Sequence, residues 1–418
     1  MTAYDLLAEL GWRGLIQDQT PNLAERLSRG PISGYVGFDP TAPSLQVGNL
    51  VPVMLLAHLQ RAGGRPIVVV GGGTGLIGDP SGKRTERPLL SLDDVAENVD
   101  RQRRQFGRFL DFDGEHAALL VNNADWLGRL PLVDFLRDTG KHFPLGSMLQ
   151  KESVRARLEE GISFTEFSYM LLQAYDFLEL YRYHSCELQM GGSDQWGNIT
   201  AGIELVRRVE GGEAHGLCAP LITTASGAKF GKSEGESVWL DGDMTSPYAF
   251  YQFWINADDR DVEGYLGKFT FRPRDEIAAL MADHGRTPEA RVPHQALASD
   301  VTALVHGDEA AHSAAEASRL LFGDLDPVQA KPETWKLLAR ELPTASLPDD
   351  ITVETSVLDV VAASTLVKSR SDARRQLSQG GISVNGRRVT ESSGVGEPLA
   401  GGFYLVQRGK KANFLFTP

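Results

Sequence analysis

Two lysines three residues apart, Lys229 and Lys232, stand beside Ser233 in the stretch SGAKFGKSEGES at 226–237. Gly and Ser give that stretch no helical or strand period, so it reads as a loop that neither sheet nor helix holds rigid. Compact ammonium charges on such a loop suit a polyphosphate whose charge shifts during reaction. Lys83 and Arg87, in the basic turn-rich run KRTERPL at 83–89, could close over the same kind of group. A third constellation is polar without being cationic. Tyr169, Gln173 and Asp176 are spaced four and three apart in FTEFSYMLLQAYDFLELY (164–181), which puts them in one stripe of a helix otherwise lined by Met170, Leu171, Leu172, Ala174, Phe177 and Leu178. Such a stripe is buried, and buried polar groups need partners, either structural ones or a small polar ligand.

These groups must be positioned by something, and the repeated element is a strand that ends in a glycine-rich or polar loop. YVGFDPTAPSLQVGN (35–49) runs from a β-prone segment through Asp39-Pro40-Thr41 into a helical pattern at Leu50, Val53, Met54 and Ala57. Pro52 falls in the first helical turn, where its missing N–H removes no bond. The orphan N–H groups there suit an anion, and Gly48 lets one approach the backbone. The apolar run Pro66–Val70 is followed by GGGTGLIGDPSG (71–82), the run Ala117–Val121 by Asn122-Asn123, and the strand CELQM (186–190) by GGSDQWGN (191–198) with a helix beginning near Ile199. In open α/β sheets ligands sit at the carboxyl ends of strands, so these polar ends carry weight together. Gly73, Gly75 and Gly78 also match G-x-G-x-x-G, which raises a nicotinamide-binding oxidoreductase as an alternative. The Asp79-Pro80-Ser81-Gly82 turn stands where that motif requires a helix. Elsewhere the pattern predicts two short helices within 4–30 with a cap-like Asp18–Asn22 between them, and helices over 92–110 and 130–138.

With 418 residues, 42% apolar and 23% charged, the chain can bury a large core divided into two or three domains. No window reaches the roughly 20 consecutive apolar residues that span a bilayer. The opening MTAYDLLAELGWRG lacks the basic and apolar regions of a signal peptide, so the reading is cytoplasmic with no membrane partner. Cys186 and Cys218 fit no common zinc spacing and suggest neither a disulfide framework nor a structural metal. A net charge of −13 argues against general nucleic-acid coating. The end of the chain departs from that balance. From Val357 to Pro418 nine basic residues face four acidic ones, a surplus of five, and Lys368, Arg370, Arg374 and Arg375 cluster ahead of a Gly turn. A basic helix face of this kind suits a phosphate backbone.

Taken together, DPTAPSLQVGN and KFGKS resemble the HIGH-type and KMSKS-type signatures of class I aminoacyl-tRNA synthetases, in the right order and separation. YVGFDPTAPSL, GLIGDPSGK, ISFTEFSYMLLQAYDF, GGSDQWGNI and TSPYAFYQFWIN resemble the bacterial tyrosyl-tRNA synthetase family almost from end to end. KSRSDARRQLSQGGISVNGRRV is similar to an S4-like RNA-binding module. The resemblance implies an α/β fold: a Rossmann-like parallel-sheet catalytic domain at 1–228, the lysine loop and connector at 229–245, and an α-helical anticodon-contacting domain at 246–341. A linker at 342–355 and a small α+β S4-like domain at 356–418 would complete it. It implies that Tyr35 and Asp176 bond the phenol of L-tyrosine, and that Asp79, Tyr169 and Gln173 hold its ammonium group. Gly37, Asp39, Thr41 and Gln195 would line the path to the reacting carboxylate and the nucleotide. Gln46, Gly48, Asn49, Lys83, Arg87, Lys229, Lys232 and Ser233 would surround ATP, taken with Mg2+, and its leaving pyrophosphate. The implied partners are tRNA(Tyr), bound in part by Lys368, Arg370, Arg374 and Arg375, and a second copy of the chain in a homodimer. Gln46 and Asn49 stand where the signature usually has histidines, which leaves a synthetase-like RNA-binding paralogue with impaired adenylation as the other reading.

Overall fold

The computed structural model describes residues 4–81, 90–151, 154–155, 161–227, 230–233, 236–323, 325–347, 353–409 and 412–418. The chain forms two compact units, Met1–Met244 with Asp258–Pro293, and Thr245–Ala257 with His294–Pro418. The helical stretch expected at 246–341 is therefore shared between them: helices Val262–Phe269 and Arg274–Arg286 belong to the first unit, and Pro247–Ile255, Asp308–Phe322 and Pro332–Leu338 to the second.

The first unit is built on a six-stranded sheet. Its strands are β1 (Asp18–Gln19), β2 (Ser33–Phe38), β3 (Arg65–Val70), β4 (Leu119–Asn122), β5 (Cys186–Gly192) and β6 (His215–Ala219), in the order β1-β6-β5-β2-β3-β4. All pairs are parallel except β1 with β6. The expected cap-like Asp18–Asn22 is thus partly strand, because Asp18 and Gln19 find open backbone partners in Cys218 and Leu217. The near-continuous apolar run of β3 is what a parallel strand covered on both faces requires, and Pro66 to Val70 are all buried. Helix Leu50–Arg61 covers this sheet with Pro52 in its first turn, and the run Val53, Met54, Leu55 and Leu56 is buried on every side. Because β2 is followed by β3 on one side while β5 arrives on the other, the chain order reverses between β2 and β5. The carboxyl ends of those two strands form a switch-point crevice.

In the second unit a five-stranded sheet runs β11-β10-β12-β13-β9, with β9 at Thr344–Ser346, β10 at Ile382–Val384, β11 at Arg387–Arg388, β12 at Tyr404–Arg408 and β13 at Ala412–Thr417. Side chains alternate across it with period two. Tyr404, Val406, Phe414 and Phe416 pack with Val357, Val361 and Leu377 on one face. Leu405 and Leu415 pack with Ala317, Leu320 and Trp335 on the other. The C-terminal sheet therefore shares a core with the helices before it, and β9, within the expected linker, pairs in parallel with β13.

Candidate active site

Four carboxyl ends and one helix converge on the crevice. Asp39 follows β2, Thr74 follows β3, Asn123 follows β4 and Gln195 follows β5, while helix Phe164–His184 supplies Tyr169, Gln173 and Asp176. Ser163 caps that helix, its Oγ accepting the Glu166 N–H at 3.2 Å. Two hydrogen-bonded chains result. In the first, Tyr169 Oη donates to Asp39 Oδ2 at 2.8 Å and Thr74 Oγ1 to Asp39 Oδ1 at 2.7 Å. Asn123 Nδ2 donates to Thr74 Oγ1 and to Asp176 Oδ2, each at 2.9 Å, and Trp126 Nε1 donates to Asp176 Oδ1 at 2.7 Å. In the second, Gln195 Nε2 donates to Asp79 Oδ2 at 2.6 Å and the Ser81 N–H to Asp79 Oδ1 at 2.9 Å. Asn198 Nδ2 joins Gln173 Oε1 at 2.9 Å and Gln195 Oε1 at 3.1 Å.

The box is acidic, and two of its carboxylates are buried. Asp176 is 4% exposed and Asp79 7%. Burial pushes the Asp176 carboxyl up to about 7, against the Asn123 and Trp126 bonds that pull it down. Burial, followed by the charges of Asp39 and Asp79, also holds the Tyr169 phenol well above its ordinary value. Tyr35 points from β2 into the same region: it is 1% exposed, packs edge-on to Phe177 at 5.3 Å, and feels the Asp176 charge. Its Oη is buried with no hydrogen-bond partner. An orphaned phenol beside a carboxylate costs stability unless something bonds it, so the pair marks a place for a ligand's polar atom.

The glycines of the GGG turn serve packing. A Cβ on Gly71 would lie 2.2 Å from Asp39 Oδ1, and one on Gly72 2.2 Å from Asn122 Oδ1. After the short turn Thr74–Leu76 the described chain proceeds through Asp79 and Ser81 without a receiving helix, which removes the dinucleotide-motif reading.

The two expected phosphate-handling segments lie side by side. Val47 N–H donates to the Val238 carbonyl at 2.9 Å, Leu240 N–H to the Leu45 carbonyl at 2.9 Å, and Gln46 bridges Trp239. Lys232 is exposed, and Lys232–Ser233 (β7) pairs antiparallel with Glu236–Ser237 (β8). The expectation that no sheet holds this loop is thereby corrected. Its flanks close a short hairpin because Val238 N–H reaches back to the Gly231 carbonyl at 3.0 Å. Gln46 N–H donates to Asn49 Oδ1 at 2.8 Å, so Asn49 caps the turn and keeps its Nδ2 as donor. Thr41 and Gly48 are exposed, and Gly37 lies on β2 with nothing within 4 Å of a would-be Cβ. Lys83, Arg87 and Lys229 lie outside the described residues, as does the Ser233 side chain.

At the far end of the chain, helix Arg370–Ser378 exposes Arg370, Arg374 and Arg375, paired with Asp359 at 2.5 Å, Glu391 at 2.6 Å and Asp372 at 2.6 Å. The neighbouring Lys368 is exposed too, its backbone N–H on Asp372 Oδ2 at 3.2 Å. The clustering of basic residues in the sequence hid these acids, and ion pairs at so solvent-accessible a helix are weak.

Comparison with known proteins shows the family of the chain. The family described as tRNA synthetases class I (W and Y) matches residues 27–323, and the SYY-like C-terminal domain of tyrosine–tRNA ligase matches residues 335–416. A tyrosine–tRNA ligase of Anaeromyxobacter dehalogenans is 55% identical over 411 residues, 97% of this chain and 98% of the relative. The chain belongs to the class I tyrosine–tRNA ligases. Tyrosine–tRNA ligase 1 of Bacillus subtilis is 48% identical over 99% of both chains. The C-terminally truncated mitochondrial tyrosyl-tRNA synthetase of Aspergillus nidulans superposes with a TM-score of 0.69 at 32% identity, over 76% of this chain and 94% of that one. The family's activity joins L-tyrosine to ATP, giving tyrosyl-adenylate and pyrophosphate, and then moves tyrosine to the 3′ terminal adenosine of tRNA(Tyr). Nothing in these matches favours an RNA-binding paralogue with impaired adenylation.

The sequence had named Tyr169, Gln173, Asp176, Asp39, Asp79, Gln195 and Tyr35, and the structure gathers all seven. Within the box Tyr169 bonds Asp39 and Asp79 bonds Gln195. Thr74, Trp126 and Asn198 were missed, and Asn123 was seen only as a polar strand end. Their one sequence signal is that each lies within a few residues of the end of a strand.

Proposed function

We propose that the buried box is the tyrosine site of this ligase, with the phenol hydroxyl between Tyr35 and Asp176 and the ammonium between Asp79, Gln173 and Tyr169. The orphaned Tyr35 Oη beside the Asp176 carboxylate carries this reading. The proton of Tyr169 is committed to Asp39, which leaves the hydroxyl lone pairs to accept from an ammonium. Asp79 and Asp176 form no salt bridge among the described residues, so a cationic ligand group offsets buried negative charge. The tyrosine carboxylate then points toward Gln195, Asp39 and Gly37 at the strand ends.

ATP, as its Mg2+ complex, lies over Thr41, Gln46, Gly48 and Asn49, with Lys232, Lys229 and Ser233 on one side and Lys83 and Arg87 on the other. A tyrosine carboxylate oxygen attacks the α-phosphorus in line, the new O–P bond forms, and the bond to pyrophosphate breaks. A ribose hydroxyl of the terminal adenosine next attacks the tyrosyl carbonyl carbon and AMP leaves. No protein nucleophile takes part; the protein positions the reactants and stabilises phosphoryl charge. Lys368, Arg370, Arg374 and Arg375 hold tRNA backbone, and Leu132, Val133, Leu136, Leu145 and Phe164, exposed apolar side chains within one stretch of chain, form a homodimer face. Both thiols are buried and unpaired, in keeping with the cytoplasm.

The test compares binding of L-tyrosine, L-phenylalanine and 3-(4-hydroxyphenyl)propionate, which lacks the ammonium. Losing either group should weaken binding by about tenfold or more. Asp176→Asn should shrink only the hydroxyl effect and Asp79→Asn only the ammonium effect. Equal responses in the two variants would refute the placement.

A further inference from the structure

The helix Leu92–Phe106 is charged on its outer face, with Glu97, Asp100, Arg101 and Arg104, yet two of the five residues it buries are amides. Asn98, Gln102 and Gln105 follow one another at four and three residues and so form one stripe. Each grips a backbone or hydroxyl group of the loop after β2. Asn98 Nδ2 donates to the Pro40 carbonyl and Gln102 Nε2 to the Ala42 carbonyl, both at 2.9 Å. Gln105 Oε1 accepts the Leu45 N–H at 3.0 Å, and its Nε2 donates to Ser44 Oγ at 2.9 Å. Ser44, 3% exposed, is a junction: its Oγ also accepts the Asp241 N–H at 3.1 Å and donates to the Leu45 carbonyl at 2.8 Å. The Leu240 N–H reaches that same carbonyl. One amide stripe thus meets both the signature loop and the chain returning from the lysine hairpin.

We propose that Asn98, Gln102 and Gln105 are positioning residues for adenylate formation, fixing the signature loop and, through Ser44, its distance from the lysine hairpin. An apolar stripe would bury the loop equally well but would let it slide. Directional bonds to four successive loop groups fix it, and a misplacement near 1 Å can cost about 10²-fold in rate. The inference rests on the reading that this loop and Lys232 face ATP.

Single-turnover adenylate formation by the full chain tests it, with burst amplitude read separately from rate. Gln105→Leu should slow the rate per active site by about tenfold or more, with the tyrosine dissociation constant changed less than about twofold. Misfolding would lower the amplitude and leave the rate of the remaining sites unchanged. Gln105→Glu, which still accepts from Leu45 N–H, should recover part of the rate. Val99→Ala, an apolar truncation on the same helix, should keep the parent rate. A parent-like rate for Gln105→Leu overturns the proposal. Lys232→Ala separates the two ideas: if it slows adenylation while Gln105→Leu does not, only the positioning role falls. If Lys232→Ala also leaves the rate unchanged, the ATP placement falls with it.

Discussion

The buried box proposed to hold tyrosine and the loops proposed to face ATP are built on opposite plans. In the box most of the contacts that set the carboxylates are side chain to side chain: Asp176 held by Asn123 and Trp126, Asp39 by Tyr169 and Thr74, Asp79 by Gln195 with the Ser81 N–H beside it. In the loops the backbone is tied down, at Val47 to Val238, Leu45 to Leu240 and Gln46 to Asn49, while Lys232, Thr41 and Gly48 remain exposed. A largely buried, hydrogen-bonded site suits selection of one amino acid, since an unmatched polar atom in it is costly. Exposed donors on a fixed backbone suit a large anion whose charge moves during the reaction. Substitutions should accordingly change tyrosine affinity in the box and turnover in the loops.

The largest effect is expected for Asp176→Ala. It removes the acceptor of the phenol and leaves Asn123 Nδ2, which still bonds Thr74, short of one partner and Trp126 Nε1 without any. At about 1–3 kcal/mol for each buried group left unmatched, tyrosine affinity should fall by about a hundredfold or more, as equilibrium dialysis would read. Lys232→Ala should do the reverse. Adenylate formation should slow by about 10²-fold, the scale of one well-aimed donor, with tyrosine affinity unchanged. A loss of tyrosine affinity in the lysine variant would break the contrast.

A smaller effect follows from protonation. Burial holds the Asp176 carboxyl at about 7, and a phenol placed as proposed would donate to its ionised form. Binding below that pH releases a proton, so tyrosine affinity should rise by about tenfold from pH 6 to pH 8 and level off above 7, and Asp176→Asn should flatten the profile. The same raised value means the ionised carboxylate burdens the fold: stability owed to this group falls as pH rises from the ordinary carboxylate range toward about 7, and bound tyrosine should offset the loss. The smallest change is expected at Gln46, whose backbone is fixed by Trp239 and Asn49. Its amide can donate to a phosphate but stays neutral. Gln46→His should raise the adenylation rate by a few-fold, less than the roughly 10² of a whole donor, and Gln46→Ala should lower it.

The contrast also separates what the sequence makes legible from what it does not. Tyr169, Gln173 and Asp176 could be found because helical spacing alone places them in one stripe. The strand ends at Asp39, Asn123 and Gln195 could be found because a parallel sheet gathers them. Trp126 and Thr74 could not, since their partners lie 50 and 35 residues away and only tertiary packing joins them. The amides of helix Leu92–Phe106 read as ordinary polar positions, because the loop groups they bind are backbone and leave no mark in residue type. β1 and β9 escaped for a related reason: they are two and three exposed residues long, and only an open sheet edge makes them strands. The shared core of the C-terminal sheet was masked by a Pro- and Asp-rich segment that looks like a linker.

The central claim is that Tyr35 and Asp176 together receive a phenol hydroxyl, and pyrophosphate exchange driven by tyrosine or by phenylalanine measures it most directly. A bound tyrosine would give the Tyr35 hydroxyl the partner it lacks, whereas phenylalanine would leave it without one. The account predicts that Tyr35→Phe lowers the tyrosine-to-phenylalanine ratio of kcat/KM by about tenfold to a hundredfold, mainly through slower use of tyrosine. An unchanged ratio in Tyr35→Phe would contradict it.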